Sequence, residues 1–352
     1  NGPIVTIRKF PKDAITMEQL IAWDSVSEEV TEFLAMLVVA GYNIFISGGT
    51  GSGKTTFLNA LSQYIPKTER IITIEDNAEL KIQDVSNLVS LEARNANVEG
   101  NGAITIRDLI KSALRMRPDR IIVGEVRSAE AIDMLQALNT GHDGSLSTGH
   151  ANSPKDMLAR LETMVLMGMD IPLPAVRRQI ASGIDIIVHL GRLRDKSRKL
   201  LAVTEVVGYE AGEVILKPLY TFEETGEVYG KIQGIWRKER ELENITKLLA
   251  AGCKTGRTNE NGRADSCASR TDCMALLSGN LGNGVSDTGR NSVLPDEEKG
   301  MREEKTTGVS FGVQRDDPES RRGTEHRIFS GKRSAGDAKR INDGLSQRGS
   351  YF

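Results

Sequence analysis

The amino-acid sequence predicts an α/β fold with a mostly parallel central sheet. Between residues 43 and 190, short β-rich runs alternate with segments of helical spacing, as in strands joined by helical crossovers. Several of the runs are almost wholly apolar, which is typical of strands covered on both faces. One run, 43–47, leads into the glycine-rich motif G-x-x-x-x-G-K-T, and a helical pattern follows. Strand, loop and helix therefore occur in the order that a phosphate-binding loop requires.

The other elements follow from periodicity and capping residues. An alternating stretch at 1–10 predicts a strand, and apolar spacing between 16 and 40 predicts two short helices. Further strands are expected at 70–74, 88–91, 120–125 and 144–148, and further helices at 106–116, 129–138, 154–167 and 175–182. Beyond these we expect an antiparallel extension of the sheet, with strands at 184–190, 201–207 and 214–219.

Composition divides the chain into four expected parts: a linker at 1–12, an α/β domain at 13–236, a charged C-terminal helix at 237–250, and a tail at 251–352. The tail is dominated by Gly, Ser, Asn, Asp, Arg and Lys, so it cannot bury enough apolar surface to offset its ordering entropy. We therefore predict a disordered tail. A frame-shifted or fused extension is the alternative.

Charge, cysteine content and hydropathy narrow the class of protein. The formal net charge of −2 argues against a strong nucleic-acid binder, although a local basic patch stays possible in principle. The three cysteines lie late in the chain without a C-x-x-C pair, so neither a disulfide framework nor a zinc site is expected. The longest apolar run, 33–40, is far shorter than the about 18–20 residues that span a bilayer. A soluble protein of a reducing compartment is predicted.

The glycine-rich loop is the first candidate site, and it predicts binding of a nucleoside triphosphate. Its backbone amides would contact the phosphate oxygens, Lys54 would reach the β and γ phosphates, and the Thr55 hydroxyl would hold Mg²⁺. A plain glycine-rich surface loop is the alternative. The candidate nucleotide-binding residues are Gly48, Gly49, Thr50, Gly51, Ser52, Gly53, Lys54, Thr55 and Thr56.

Acidic residues at strand ends supply the second requirement, a group that organises Mg²⁺ and water. Glu125 ends the apolar strand 121–123 and is the candidate Mg²⁺-side acid; a surface carboxylate is the alternative. Glu75, Asp76 and Glu79 follow another strand, where close carboxylates would raise one another's pKa and suit water activation. Which of these is the base stays open, and a solvated loop face is the alternative.

Two histidines, His142 and His150, bracket a polar strand. A third metal ligand with suitable spacing is lacking, so a γ-phosphate sensor is favoured for His150 over a purely structural role. Arginines are dense around the helix before Glu125. As a set they favour a nucleotide site shared between subunits, whereas single ones would pair with nearby acids. They are Arg107, Arg115, Arg117, Arg120 and Arg127.

Three segments resemble the motifs of one family. Residues 73–76 resemble the aspartate box, 114–127 the Walker B region, and 139–152 the histidine box of the type II/type IV secretion and pilus ATPases. Segments 114–120 and 92–100 are most similar to the tight-adherence (Flp) pilus assembly ATPases of the CpaF type. The similarity runs from about residue 2 to residue 236.

The resemblance implies a RecA-like P-loop ATPase domain that uses ATP and Mg²⁺. It implies a homo-hexamer at the cytoplasmic face of the inner membrane, peripherally associated with a platform protein and driving pilus assembly or secretion. Lys54, Thr55, Glu75, Glu125 and His150 would be the site residues, with Lys54, Glu75, Glu125 and His150 catalytic and Thr55 and Glu125 holding the metal. Arg8 would lie in the family's linker. No direct nucleic-acid contact is expected.

Three departures qualify the resemblance. We expect the family's N-terminal domain to be missing before Asn1, Lys196 stands where many members have glycine, and the tail matches no family segment. Three functions are therefore compared: a mechanochemical ATPase, a nucleic-acid translocase of the same class, and a non-catalytic nucleotide-binding scaffold. The near-neutral net charge argues against the translocase.

Overall fold

Capped helices begin the part of the chain that the computed structural model describes, residues 2–7 and 14–252. Helix α1 (Met17–Ala22) starts where the Thr16 side chain accepts a hydrogen bond from the Gln19 amide. Helix α2 (Glu28–Val39) starts in the same way at Ser27 and buries an apolar face. The two short helices expected between 16 and 40 are thus present. All described residues belong to the first of the two units into which the chain divides, residues 1–286.

Strands and helices then alternate as the sequence predicts. The next elements are β1 (Ile44–Gly48), α3 (Lys54–Ser62), β2 (Arg70–Glu75), β3 (Asn87–Glu92), α4 (Ile106–Ala113), β4 (Arg120–Val123), α5 (Glu130–Leu138), β5 (Leu146–His150), α6 (Pro154–Gly168) and α7 (Leu173–Gly183). They are followed by β6 (Ile186–Arg192), β7 (Arg198–Glu210), β8 (Glu213–Val228), β9 (Lys231–Lys238) and α8 (Thr246–Ala250).

One sheet of nine strands organises these elements, in the order β3-β2-β4-β5-β1-β6-β7-β8-β9. The first six strands pair in parallel, and β6 to β9 pair antiparallel. This confirms the mostly parallel sheet with an antiparallel extension. The carboxyl ends of β1, β2, β4 and β5 lie along one edge, so the residues that follow these strands are brought together there.

Two apolar clusters cover the two faces of the sheet. In β1, Ile44 and Ile46 belong to one cluster and Phe45 to the other, as the alternation of side chains along a strand requires. All three are at most 2% exposed. The uniformly apolar runs of the sequence therefore correspond to strands buried on both sides.

The predicted N-terminal strand is wrong for the residues that can be compared. Residues 2–7 have no strand structure, and the Ile4 and Val5 side chains are 92% and 81% exposed. An alternating pattern forms a strand only where a neighbour accepts its backbone hydrogen bonds, and residues 2–7 pair with none of the nine strands. Arg8 lies outside the described residues.

The predicted helix at 237–250 is also wrong in its first half. Residues 237 and 238 belong to β9, which the sequence analysis missed, and helix is confined to α8. The buried Glu205 carboxylate accepts hydrogen bonds from the backbone amides of Glu243 and Asn244, at 3.0 and 2.8 Å. Those amides are thereby held in an irregular segment, because a tertiary acceptor replaces the helical one.

Two further expectations concern a turn and the tail. Lys196 lies between β6 and β7 with φ +69°, the left-handed region that glycine adopts most readily. The tail that is expected to be disordered begins at residue 251, and from residue 253 onward it lies outside the described residues. Within the described ranges, none of the helices combines the length and apolarity needed to cross a membrane.

Candidate functional site

The glycine-rich loop lies between β1 and α3, as the motif predicts. Gly51 and Gly53 have φ of +71° and +96°, conformations that disfavour residues with a Cβ. A Cβ on Gly49 or Gly51 would meet no atom within 4 Å, so the loop borders open space. Helix α3 starts at Lys54 without a side-chain cap. Its first amides and its dipole therefore face that space with a preference for an anion.

A buried hydroxyl in the same loop also fits an oxygen-rich ligand. Ser52 is 3% exposed, and its Oγ has no hydrogen-bond partner among the described residues. Buried polar atoms are almost always paired in folded proteins. The unpaired hydroxyl, the open space and the free helix end together fit the phosphates of a nucleotide.

Lys54 and His150 connect the loop to the carboxyl end of β5. The Lys54 Nζ donates to the Gly49 carbonyl and lies 3.2 Å from the His150 Nδ1. An ammonium only donates hydrogen bonds, so Nδ1 acts as the acceptor and the imidazole proton resides on Nε2. That Nε2 lies 2.9 Å from the Glu125 Oε1, a close contact that lacks the alignment of a hydrogen bond. His150 therefore bridges the loop lysine and the candidate metal-side acid.

The electrostatics of this bridge agree with a neutral imidazole. Burial lowers the pKa of His150, and the nearby Lys54 ammonium lowers it further. Burial also lowers the pKa of Lys54, against the opposing attraction of Glu125. Burial alone would raise the pKa of Glu125, but the hydrogen bond from Arg127 and the surrounding positive charges hold it below the usual value. Glu125 is consequently an ionised carboxylate between cationic groups.

Arg127 joins two of the acids that the sequence singled out. Its guanidinium donates to the Glu125 Oε2 at 2.7 Å and to the Asp76 Oδ2 at 3.1 Å. These contacts link the segment after β4 to the segment after β2. The arginine thus positions both carboxylates at the edge of the sheet.

Glu75 ends β2 and is 5% exposed. Its Oε1 accepts hydrogen bonds from the Glu79 and Leu80 amides, both at 3.0 Å. Burial is the main reason that the pKa of Glu75 is raised; the neighbouring Glu79 contributes less. The expected mutual effect of close carboxylates is therefore secondary to desolvation.

These groups line one cleft of about 890 Å³. Residues 50–57 form part of its wall, together with the ends of β2, β4 and β5. The start of β7 supplies Arg198, whose Nε donates to the Gly51 carbonyl at 2.8 Å. No local sequence pattern predicts Arg198 as a residue of this site, because 147 residues separate it from the loop.

Other predicted candidates lie elsewhere. The His142 Nδ1 lies 3.1 Å from the Ala137 carbonyl, at the opposite end of β5 from the loop, so His142 does not belong to the cleft. Arg120 is buried and pairs with Glu69, and Arg107 pairs with Asp133 at 2.5 Å. Of the five arginines, Arg127 alone has contacts to the acids of the site in the described residues.

The Mg²⁺ expectation rests on few protein groups. Within residues 2–7 and 14–252, no group of three or more His, Cys, Asp or Glu side chains could hold a metal ion by itself. Thr55 and Glu125 both line the cleft. One hydroxyl and one carboxylate suit Mg²⁺ that takes its remaining ligands from phosphate and water.

The fold and the loop define a class: an α/β protein whose phosphate loop lies at the carboxyl edge of a parallel sheet. A family model described as "Type II/IV secretion system protein" matches residues 1–284, and the chain belongs to this family.

The chain is also similar to individual proteins. The chain is 41% identical over 174 residues to the type IV secretion system protein PtlH of Bordetella pertussis, covering 49% of each sequence. It is 34% identical over 212 residues to the conjugal transfer protein TrbB of Rhizobium radiobacter, covering 59% of this chain and 62% of that one. The crystal structure of the VirB11 ATPase of the Brucella suis type IV secretion system, in complex with sulphate, aligns at 34% identity. Its TM-score is 0.46, with 55% and 57% of the two chains covered. The chain spans less than two thirds of each of these relatives.

Proposed function

We propose that this chain is an ATP-hydrolysing motor subunit of a secretion or pilus-assembly system. The observation that carries the proposal is the continuous contact from Lys54 through His150 to Glu125. It joins a phosphate loop after β1 to an acid after β4, two strands away, and phosphoryl transfer to water needs both groups. A scaffold that only held nucleotide would need the loop but not the acid and its arginine.

Each site residue has a part in this proposal. The loop, residues 48–56, holds the phosphates, and Lys54 neutralises their charge. Thr55 and Glu125 hold Mg²⁺, which when bound offsets the charge that develops on the transferred phosphoryl group. Glu125 and Glu75 form the acidic pair that orients water. His150, neutral and in contact with Lys54, reports whether the γ-phosphate is present.

The proposal extends to assembly and partners. We propose a RecA-like homo-hexamer on the cytoplasmic face of the inner membrane, peripherally associated with a platform protein to which hydrolysis passes domain motion. The family membership and the relationship to a type IV secretion protein support a transport role. The similarity of segments 92–100 and 114–120 favours the tight-adherence (Flp) branch. The net charge of −2 does not favour direct nucleic-acid binding.

Substitution of the loop lysine tests the enzymatic part. Lys54→Ala should lower ATP turnover by the purified chain at least about 100-fold. The substitution removes the fixed positive charge that stabilises the phosphoryl group during its transfer. Glu125→Gln should lower turnover similarly while ATP binding is retained. Lys238 is an exposed lysine in β9. Lys238→Ala is therefore the matched control and should leave turnover unchanged.

Two results would redirect the proposal. Unchanged turnover in Lys54→Ala would refute hydrolysis at this site. Turnover that rises several-fold with DNA, together with salt-dependent DNA binding, would favour the translocase instead.

A further inference from the structure

Trp23 is an exposed aromatic side chain in the wall of the nucleotide cleft. It is 59% exposed and lines the cleft together with residues 50–57. Among the large exposed hydrophobic side chains of residues 2–7 and 14–252, it is the one that borders this cleft. A solvent-exposed aromatic ring in the same cleft as a phosphate-binding loop offers a flat apolar surface to the part of a ligand that extends beyond its phosphates.

The backbone around Trp23 is fixed in place. Trp23 is the C-terminal capping residue directly after α1, and its amide donates to the Gln19 carbonyl. The next residue, Asp24, has φ +54° and accepts from the buried Lys199 Nζ through its carbonyl at 2.7 Å and its carboxylate at 2.5 Å. The Ser25 carbonyl accepts from the Leu200 amide at 2.8 Å. The turn that carries the indole is therefore anchored to β7.

The phosphate loop is anchored to the same strand. Arg198, directly before Lys199, donates to the Gly51 carbonyl at 2.8 Å. Its Cδ lies 3.4 Å from the position that a Cβ on Gly53 would take. Three consecutive residues of β7 thus hold the loop and the Trp23 turn in one rigid arrangement. Preorganisation of this kind reduces the ordering entropy that ligand binding costs.

The main cleft adjoins a second cavity. This cavity, of about 650 Å³, is lined by Gly49, Thr50, Glu125 and His150, and the last three of these line the main cleft as well. Trp23 and Arg198 line the main cleft but not this second cavity. The main cleft therefore holds Glu125 where the second cavity adjoins it and Trp23 away from that cavity, so a nucleotide with its terminal phosphate toward Glu125 can extend its other end toward Trp23.

We propose that Trp23 is the stacking platform for the base of the bound nucleotide. This inference rests on the proposed function, because it requires a nucleoside triphosphate in the phosphate loop. Stacking on an indole accepts any base through its π-face, and larger purines stack better than pyrimidines. The site would consequently favour ATP and GTP over CTP.

The test compares a full nucleotide with its phosphates alone. Affinities for ATP and for inorganic tripolyphosphate are measured by calorimetry on wild type, Trp23→Ala and Trp23→Phe. Loss of one base-aromatic stack should raise the ATP dissociation constant about 5- to 150-fold. The tripolyphosphate constant should stay unchanged, and Trp23→Phe should restore most of the ATP affinity. Ile235→Ala, another exposed apolar residue, is the matched control and should bind both ligands as wild type does.

Fluorescence supplies a second readout. The chain contains two tryptophans, so Trp236→Phe leaves Trp23 as the sole indole emitter. ATP should quench its emission saturably, whereas tripolyphosphate should not. Equal ATP affinity in wild type and Trp23→Ala would overturn the stacking proposal, as would an equal loss of tripolyphosphate affinity. By contrast, undiminished binding of both ligands by Lys54→Ala would overturn the proposed function itself.

Discussion

His150 shows how a single residue couples two parts of the site. Its two ring nitrogens face different partners, the Lys54 ammonium at 3.2 Å and the Glu125 carboxylate at 2.9 Å. A neutral ring accepts from the first and has its N–H nitrogen beside the second, without the alignment of a hydrogen bond. A charged ring would face the lysine as a like charge. Protonation of this imidazole would therefore weaken its contact with Lys54 and strengthen its attraction to Glu125.

We expect the His150 imidazole to titrate with a midpoint below 6.5, since burial and Lys54 both lower its pKa. A folded-state pKa below the unfolded value means that the stabilisation is present above pH 6.5 and lost as pH falls through the folded pKa. NMR of histidine-labelled protein, with His150→Gln for assignment, measures the midpoint. In Lys54→Met the midpoint should move upward. A His150 midpoint at or above 6.5 in the wild type would contradict the bridge.

At the scale of elements, the ends of β2 and β4, which carry Glu75 and Glu125, approach each other closely because Gly124 has no side chain. A Cβ on Gly124, directly after β4, would lie 2.9 Å from the Glu75 Cγ at the end of β2. Real Cβ atoms do not come that close, so a side chain there must displace Glu75. The contact with β2 therefore requires a glycine at position 124, between the apolar strand β4 and Glu125.

Gly124→Ala should lower ATP turnover about 10-fold or more and destabilise the fold by about 1–3 kcal/mol, because Glu75 is forced off its two backbone amides. Steady-state kinetics and urea denaturation measure the two effects. Gly208→Ala in β7 is the matched control, because a Cβ there meets no atom within 4 Å. A Gly124→Ala variant as active as Gly208→Ala would show that the position of Glu75 does not matter.

At the scale of the whole molecule, the segment that contains α8 is bound to the edge of the sheet opposite the phosphate loop. The Lys247 Nζ, on α8, lies 2.7 Å from both the Asp143 and the Asp185 carboxylates. The Tyr42 hydroxyl donates to the Asn244 carbonyl at 2.6 Å. These contacts connect residues 244–247 to the segments that enter β1, β5 and β6.

Lys247→Met should destabilise the protein by about 2–4 kcal/mol, because it leaves the largely buried Asp185 without its cation. Burial already raises the pKa of Asp185 despite Lys247. Stability from this group is therefore present at low pH and declines as pH rises through its folded pKa. The decline should be larger in Lys247→Met and absent in Asp185→Asn.

Urea denaturation across pH measures this effect. Lys238→Met is the control: Lys238 forms an exposed pair with Glu241, and its loss should change stability by less than about 0.5 kcal/mol. If Lys247→Met and Lys238→Met lowered the free energy of unfolding equally, the contacts of Lys247 with Asp143 and Asp185 would have no stabilising role.

Local sequence patterns were sufficient where an element depends on its own residues. The phosphate loop needs its glycines and its lysine at fixed spacing, so the motif at 48–55 predicted a strand, a loop and a helix that the structure contains. The helix predicted from residue 106 starts there as α4, directly after Thr105, whose side chain accepts a hydrogen bond from the Asp108 amide; such a cap acts within one turn. The parallel sheet followed from the alternation of strands and helices.

Contacts between distant segments were decided only by the tertiary structure. The alternating residues 2–7 found no partner strand, and residues 239–245 did not form a helix because Glu205 captured two of their amides. The order β4-β5-β1 placed His150 between Lys54 and Glu125, and β7 brought Arg198 and the Trp23 turn to the loop. By itself the sequence determined the phosphate loop and its candidate acids, since these depend on short-range spacing. Their arrangement around one cleft depends on pairing across the sheet, which no local pattern encodes.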